Sequence, residues 1–202
     1  MLEQAKWMVE KMTGIGRPRR ADLSELVRPR KPQGYHFLDD GETPNNRHFS
    51  LLLYRSPVAL PAAYDPAAIF EDLFAANDWR HSWRNGIYDF LHFHTGTHEV
   101  LGIARGHAVA QFGGERGRIV DLKAGDVVVL PAGTGHRRRS ASPDLLVVGA
   151  YPAGGDFDQR RPGEIAHADA VRKIAAVGLP AKDPIYGDGG PLLQAWSLGR
   201  QV

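Results

Sequence analysis

The segment Tyr88-Asp89-Phe90-Leu91-His92-Phe93-His94-Thr95-Gly96-Thr97-His98-Glu99-Val100-Leu101-Gly102 decides how the rest of the chain is read. His92 and His94 stand two residues apart in an apolar run that reads as a strand. Side chains alternate along a strand, so both imidazoles leave one face, and Tyr88 and Phe90 leave it with them. A polar turn, Thr95-Gly96-Thr97, precedes Glu99, which opens the next strand. Further on, the apolar strand Val127-Val128-Val129-Leu130 and the turn Pro131-Ala132-Gly133-Thr134-Gly135 lead to His136. Three imidazoles and a carboxylate from three strands converge only if the sheet curls on itself. A small barrel does this, and its mouth is a natural ligand site.

Outward from this segment, short β-like runs recur at 34–38, 48–55, 87–94, 99–104, 107–112, 117–122, 126–130, 136–140 and 144–151, punctuated by Gly, Pro, Asn and Asp. Such spacing predicts an all-β sandwich or barrel. One internal helix is expected at 66–76, with Asp65 as N-cap, Pro66 at the first position, and Ile69, Phe70, Leu73 and Phe74 as its apolar face. Residues 2–12 read as a short amphipathic helix, with Leu2, Ala5, Met8, Val9 and Met12 on one stripe. Proline interrupts the basic clusters at 17–20 and 28–32, which therefore read as extended, solvated linkers around a brief segment at 21–27 rather than as a nucleic-acid arm. The Gly- and Pro-rich tail after Gly154 is expected to be mostly irregular.

With 202 residues, 43% of them hydrophobic, the chain is long enough for one well-cored domain. The absence of cysteine excludes disulfides, thiolate ligands and a cysteine nucleophile. A net charge of +2 gives no dedicated polyanion-binding surface. No apolar run is long enough to span a bilayer, and the first residues have no signal-peptide pattern, so a cytoplasmic protein without membrane or nucleic-acid partners is expected.

The histidine spacing also carries a resemblance. Gly86, His92, His94, Glu99 and Gly106 match the pattern G-x5-H-x-H-x4-E-x6-G. Gly125, Pro131, Gly133 and His136 match G-x5-P-x-G-x2-H-x3-N, with Ser140 in place of the last Asn. These are the two motifs of the cupin superfamily, which this chain resembles. Pro44-Asn45-Asn46, Trp83-Arg84-Asn85-Gly86-Ile87-Tyr88, Val148-Gly149-Ala150-Tyr151-Pro152 and Asp183-Pro184-Ile185-Tyr186-Gly187 are similar to the YjlB-like bacterial single-domain cupins. The resemblance implies an RmlC-like double-stranded β-helix, or jelly-roll barrel, over residues 33–202. Its core would span about 84–152, and residues 1–32 would be a helical and basic extension.

The resemblance further implies that His92, His94, Glu99 and His136 bind one divalent metal. Imidazoles and a carboxylate suit Fe, Mn, Ni, Co or Zn, and four protein ligands on an octahedral ion leave two positions open. His98 faces away from Glu99 by alternation and is a reserve ligand only if the turn is distorted. His98-Glu99-Val100-Leu101-Gly102 does not complete H-E-x-x-H, which excludes a zincin. His107 reads as an ordinary strand residue.

By the same alternation, Arg138 and Ser140 turn inward with His136. Arg138 then either clamps a substrate carboxylate or pairs with Asp144. Tyr88, Phe90, Leu101 and Ile103 are expected to line an apolar pocket deep in the barrel. Ile87, Leu91 and Phe93, on the opposite face, need a cover: the 66–76 helix, the N-terminal segment or a second subunit, the last making a homodimer. Trp79 and Trp83 read as packing residues. The expected function is a metal-dependent enzyme, of dioxygenase or isomerase type with Glu99 as a possible base, acting on a small organic acid or related metabolite. A non-catalytic binding cupin and a metal-free sugar epimerase are the alternatives.

Overall fold

Two strands explain the architecture. Leu51–Tyr54 (β2) and Val127–Leu130 (β7) are buried at every position. A strand needs both faces covered to be apolar throughout, and in the computed structural model, which describes residues 16–155 and 157–199, both faces are. Leu51 and Leu53 point into the barrel with Val128 and Leu130, while Leu52, Tyr54, Val127 and Val129 point outward under a second apolar layer.

The remaining strands are Gln33–Tyr35 (β1), Trp79–Asn85 (β3), Glu99–Arg105 (β4), His107–Phe112 (β5), Arg118–Lys123 (β6), His136–Ala141 (β8) and Leu146–Pro152 (β9). They form a six-stranded sheet, β1-β2-β7-β4-β9-β3, facing a three-stranded sheet, β6-β5-β8, with every pairing antiparallel. Leu101, Ile103, Ala110, Phe112, Val120, Leu122 and Val147 fill the space between them. This is the expected jelly-roll barrel.

The outer layer begins with Pro66–Ala76 (α1), which has the predicted bounds. Asp65 accepts a hydrogen bond from the Ala67 N–H at 3.1 Å, and proline occupies the first turn. Phe70 packs so closely on β4 that a Cβ at Gly102 would lie 2.5 Å from its ring. Arg84, on β3, holds the helix by ion pairs of 2.7 Å to both Asp65 and Glu71.

Two segments add to the expectations and one corrects them. The tail is irregular over most of its described length, as expected, but it also carries two short helices, His167–Ala176 (α2) and Pro191–Gly199 (α3), and Leu192 and Trp196 enter the outer core. Gly and Pro in the tail mark the turns between these helices. The basic clusters are irregular and largely exposed around a brief ordered segment, as expected, with Arg17 anchored to α1. Arg20–Leu26 is a 3-10 helix that buries Leu23 and Leu26, and Arg17 pairs with Glu71 and Asp72. The helix expected at 2–12 lies outside the described residues.

The correction concerns 87–94, which is not a regular strand; β3 ends at Asn85. The segment runs along β8 instead, through the Arg138 N–H bonded to the Tyr88 carbonyl at 2.7 Å and the mutual His92–His136 pair. Four residue steps (88 to 92) thus face two (138 to 136), so the chain bulges between them. A bulge resets the alternation of side chains. Among the described residues no helix is long and apolar enough to cross a membrane.

Candidate metal centre

His92, His94 and His136 are all buried, and one ring nitrogen of each lies within 4.8 Å of the others. Glu99, at the start of β4, places Oε2 3.2 Å from His94 Nε2 and 3.3 Å from His136 Nε2. The opposite nitrogens are committed to backbone. His92 Nδ1 faces the Phe90 carbonyl at 3.1 Å, His136 Nδ1 faces that of Thr134 at 3.0 Å, and His94 Nδ1 faces that of Asp158. A carbonyl only accepts, so each Nδ1 carries the proton and each Nε2 presents a lone pair inward.

The inward atoms are unsatisfied: His94 Nε2 and Glu99 Oε2 are buried without a hydrogen-bond partner. Buried polar atoms are almost always paired, so two orphans facing one another call for a shared partner. Two ligands about 2.1 Å from one ion, at right angles, lie about 3.0 Å apart, close to the Glu99–histidine separations. The residues therefore fit a divalent cation. Electrostatics favour a neutral His92 and an ionised Glu99, while the Glu99 charge draws His94 toward a protonated form whose proton a bound cation would displace. Burial pushes the His92 imidazole down to about 3, keeping it neutral and able to ligate. Burial also pushes His94 down, but the adjacent Glu99 outweighs it and holds His94 above the ordinary value. For Glu99, burial is outweighed by His94 and His136, and the carboxyl stays ionised well below its usual range.

Local structure explains each position. The 131–135 turn carrying His136 is braced from the 44–49 loop. Asn46 Nδ2 donates to the Ala132 carbonyl, Asn45 Oδ1 accepts from the Gly135 N–H, and Gly133 holds φ +91° against the Asn45 carbonyl. The His94 carbonyl accepts from the Gly133 N–H at 2.7 Å, tying the two histidine segments together. Asp158 is the tail's contribution. Its carboxylate accepts from the Thr95 N–H and hydroxyl, the Gly96 N–H and Arg160, so that its own carbonyl is fixed on His94.

His98 is not a ligand. It accepts from the Ala132 N–H at 2.9 Å, donates to the Gly178 carbonyl at 2.9 Å, and packs against Trp196. Its outward direction follows the alternation from Glu99.

His92, His94, Glu99 and His136 open into a cavity of about 190 Å³. Of the residues expected to line it, Tyr88 and Leu101 do. Tyr88, however, is 45% exposed and sits at the mouth rather than deep in the barrel, stacked on Phe90. Phe90 does not line the cavity, nor does Ile103, which is fully buried farther inside the barrel. Arg138 is also outside it, in a separate surface groove beside Gly86 and Leu145. The irregular path at 88–92 accounts for Tyr88 and Phe90, because the alternation of a regular strand does not run through it.

Sequence reasoning missed Trp83, Tyr151, Phe157 and Gln159, which complete the wall. Trp83 donates from Nε1 to the Tyr151 hydroxyl at 2.9 Å and occupies space that only a glycine at 149 leaves, since a Cβ there would lie 2.1 Å from the indole. Trp79, by contrast, is a packing residue, buried with its Nε1 on the Lys182 carbonyl. Alternation from Val147 through Gly149 to Tyr151 on β9 was the signal available for the tyrosine. Nothing in the local pattern pointed to Phe157 or Gln159. The apolar face expected to need a cover finds one within the chain, though not from the 66–76 helix: Phe93 packs with Ala170 and Ile174 of α2, and Ile87 lies inside the barrel.

No family model matches the chain. Among solved structures it is similar to a conserved Klebsiella pneumoniae protein with a double-stranded beta-helix domain (15% identity, 70% of this chain and 95% of that one, TM-score 0.34). It is also similar to acireductone dioxygenase from Bacillus anthracis with cadmium ion in its active center (17% identity, 44% and 62%, TM-score 0.32). In sequence it is 41% identical over 167 residues to "Uncharacterized protein YjlB" of Bacillus subtilis (strain 168), spanning 83% of this chain and 98% of the relative. With that identity over nearly the full length of the relative, and a jelly-roll barrel carrying both cupin motifs, the chain belongs to the YjlB family of cupins.

Proposed function

We propose that this protein is a metal-dependent enzyme in which His92, His94, His136 and Glu99 hold one divalent ion of Fe, Mn, Ni, Co or Zn. The observation that carries the reading is the pair of orphaned, buried, mutually facing ligand atoms, His94 Nε2 and Glu99 Oε2. When bound, such an ion supplies Lewis-acid polarisation of a chelating substrate and, for iron or manganese, a redox centre for dioxygen chemistry.

The chain's own residues supply the rest. Three backbone carbonyls lock the imidazoles in the ligating tautomer. Burial and the nearby Glu99 charge push the Tyr151 hydroxyl up from its ordinary value, so it keeps its proton. It can therefore donate a hydrogen bond to Glu99 or to a substrate oxygen, while Trp83 fixes its position. Glu99 is the carboxylate placed to take a substrate proton, which would give isomerase chemistry in place of oxidation. Leu101, Trp83 and Phe157 give the cavity an apolar wall. Its volume suits a small organic substrate.

The test is elemental analysis of untagged protein purified without chelator, beside His94→Ala and Glu99→Gln. One equivalent of metal in the wild type, lost in His94→Ala, is expected. No uptake even after reconstitution would overturn the reading in favour of a metal-free isomerase or binder. Oxygen uptake with candidate substrates then separates an oxygenase from a binder, which would show ligand-induced thermal shifts without turnover.

A further inference from the structure

Resting on the metal reading above, we infer that the cavity selects a small, flat, largely apolar ligand that chelates through one ionised end and carries no second anionic group. An ortho-dihydroxyarene has this chemistry.

Charge leads to the single anionic end. A divalent ion beside one glutamate and neutral imidazoles has a net single positive charge, which one ionised oxygen balances. Beyond it, nothing cationic is available. Among the described residues, Arg84 is the only arginine or lysine lining the cavity, and its guanidinium is committed to Asp65 and to both oxygens of Glu71 at 2.7–2.8 Å. Arg138 opens to the separate groove. Arg161 stacks on Phe90 at 3.9 Å, and neither residue lines the cavity. A second carboxylate on the ligand would be desolvated against aromatic carbon without a partner, which is costly.

Shape leads to the flat body. At about 190 Å³ the cavity is below the range of about 300–1,000 Å³ usual for drug-sized ligands. Its wall is aromatic. Tyr151 and Phe157 lie 4.8 Å apart, Phe157 is 5.5 Å from His94, and Trp83 is hydrogen-bonded to Tyr151 beside them. Leu101 supplies an aliphatic surface. Apart from Arg84, the metal-facing groups and the Tyr88 and Tyr151 hydroxyls, the polar side chains lining the cavity are the neutral amides Gln159 and Asn85. Aromatic walls favour planar partners by stacking or edge contact.

The experiment uses the full chain loaded with zinc under nitrogen, so that the probes are not oxidised. Metal content is measured first. Calorimetry then compares 4-methylcatechol with 3,4-dihydroxybenzoate, which differ by a methyl against a carboxylate. The expected result is at least ten-fold tighter binding of the neutral probe. Trp83→Ala and, as the more exposed and structurally milder change, Phe157→Ala should each weaken it several-fold without loss of zinc. Arg138→Ala should alter neither affinity. Equal or tighter binding of the carboxylated probe, or unchanged affinity in both aromatic variants, would overturn the inference while leaving the metal site standing. Failure to take up zinc would overturn both.

Discussion

Asp158 shows how one residue serves the site without touching a ligand. Its carboxylate is pinned by Thr95, Gly96 and Arg160, and its carbonyl holds His94 Nδ1. Burial pushes the carboxyl up, but the hydrogen bonds from Thr95 and Gly96 outweigh it and keep it ionised. Loss of an outer partner to a ligating histidine typically costs about 10–100-fold in metal affinity. Asp158→Ala should therefore weaken metal binding by about ten-fold with the far-ultraviolet circular dichroism unchanged, as read by competition with a chelator. An unaltered affinity would mean that His94 is held by packing alone. His92, His94, Glu99 and His136 could be read from the chain because motif spacing is a property of the chain. Asp158 could not, because it lies 64 residues beyond its partner in a segment without a recognisable pattern.

At the scale of elements, the contact between α1 and β4 stabilises the wall from which Glu99 and Leu101 project. Phe70 is fully buried against Gly102. Phe70→Ala should cost about 3–5 kcal/mol in urea unfolding, as a large buried ring leaves a cavity that close packing cannot refill. Gly102→Ala should also destabilise, by overpacking, because the new methyl meets a ring that backbone and core hold in place. The ion pairs on the same helix give a pH signature. Hydrogen bonding to Arg84, acting against burial and aided by Arg17, holds Glu71 below its ordinary value of 4.5. A folded-state value below the unfolded one means that the contribution is present above about pH 4.5 and is lost as pH falls through the folded value. Urea midpoints measured between about pH 6 and pH 3 should fall, and Glu71→Gln should flatten that fall. An identical slope in the variant would place the acid sensitivity elsewhere. The helix itself was legible to the residue, because Asp65, Pro66 and the apolar face are local signals. The 88–92 segment was not, because a bulge is chosen by the strand it pairs with, and its apolar residues read equally well as a continuous strand.

For the whole molecule, the tail is part of the barrel rather than an appendage. Trp196 stacks on Phe49 and contacts His98, Asp183 is buried with hydrogen bonds from Tyr54 and the Leu192 N–H, and the Asp158 carbonyl reaches His94. A chain ended after Gly154 should lose its cooperative thermal transition, since it would expose the outer faces of β2 and β7 and leave His98 Nε2 without the Gly178 carbonyl. A sharp transition retained in the shortened chain would show that the tail is dispensable to the core.

Local signals along the chain were enough for the β architecture, the capped helix and the convergence of His92, His94, Glu99 and His136, because period-two alternation, caps and motif intervals act over a few residues. Tertiary structure alone decided that Arg138 turns away from the cavity, that Tyr88 stands at its mouth, and that Trp83, Tyr151 and Phe157 close it. Those outcomes depend on one bulge and on a distant tail folding back. Both are settled by which surfaces remain to be buried once the barrel has closed, and no local pattern carries that information.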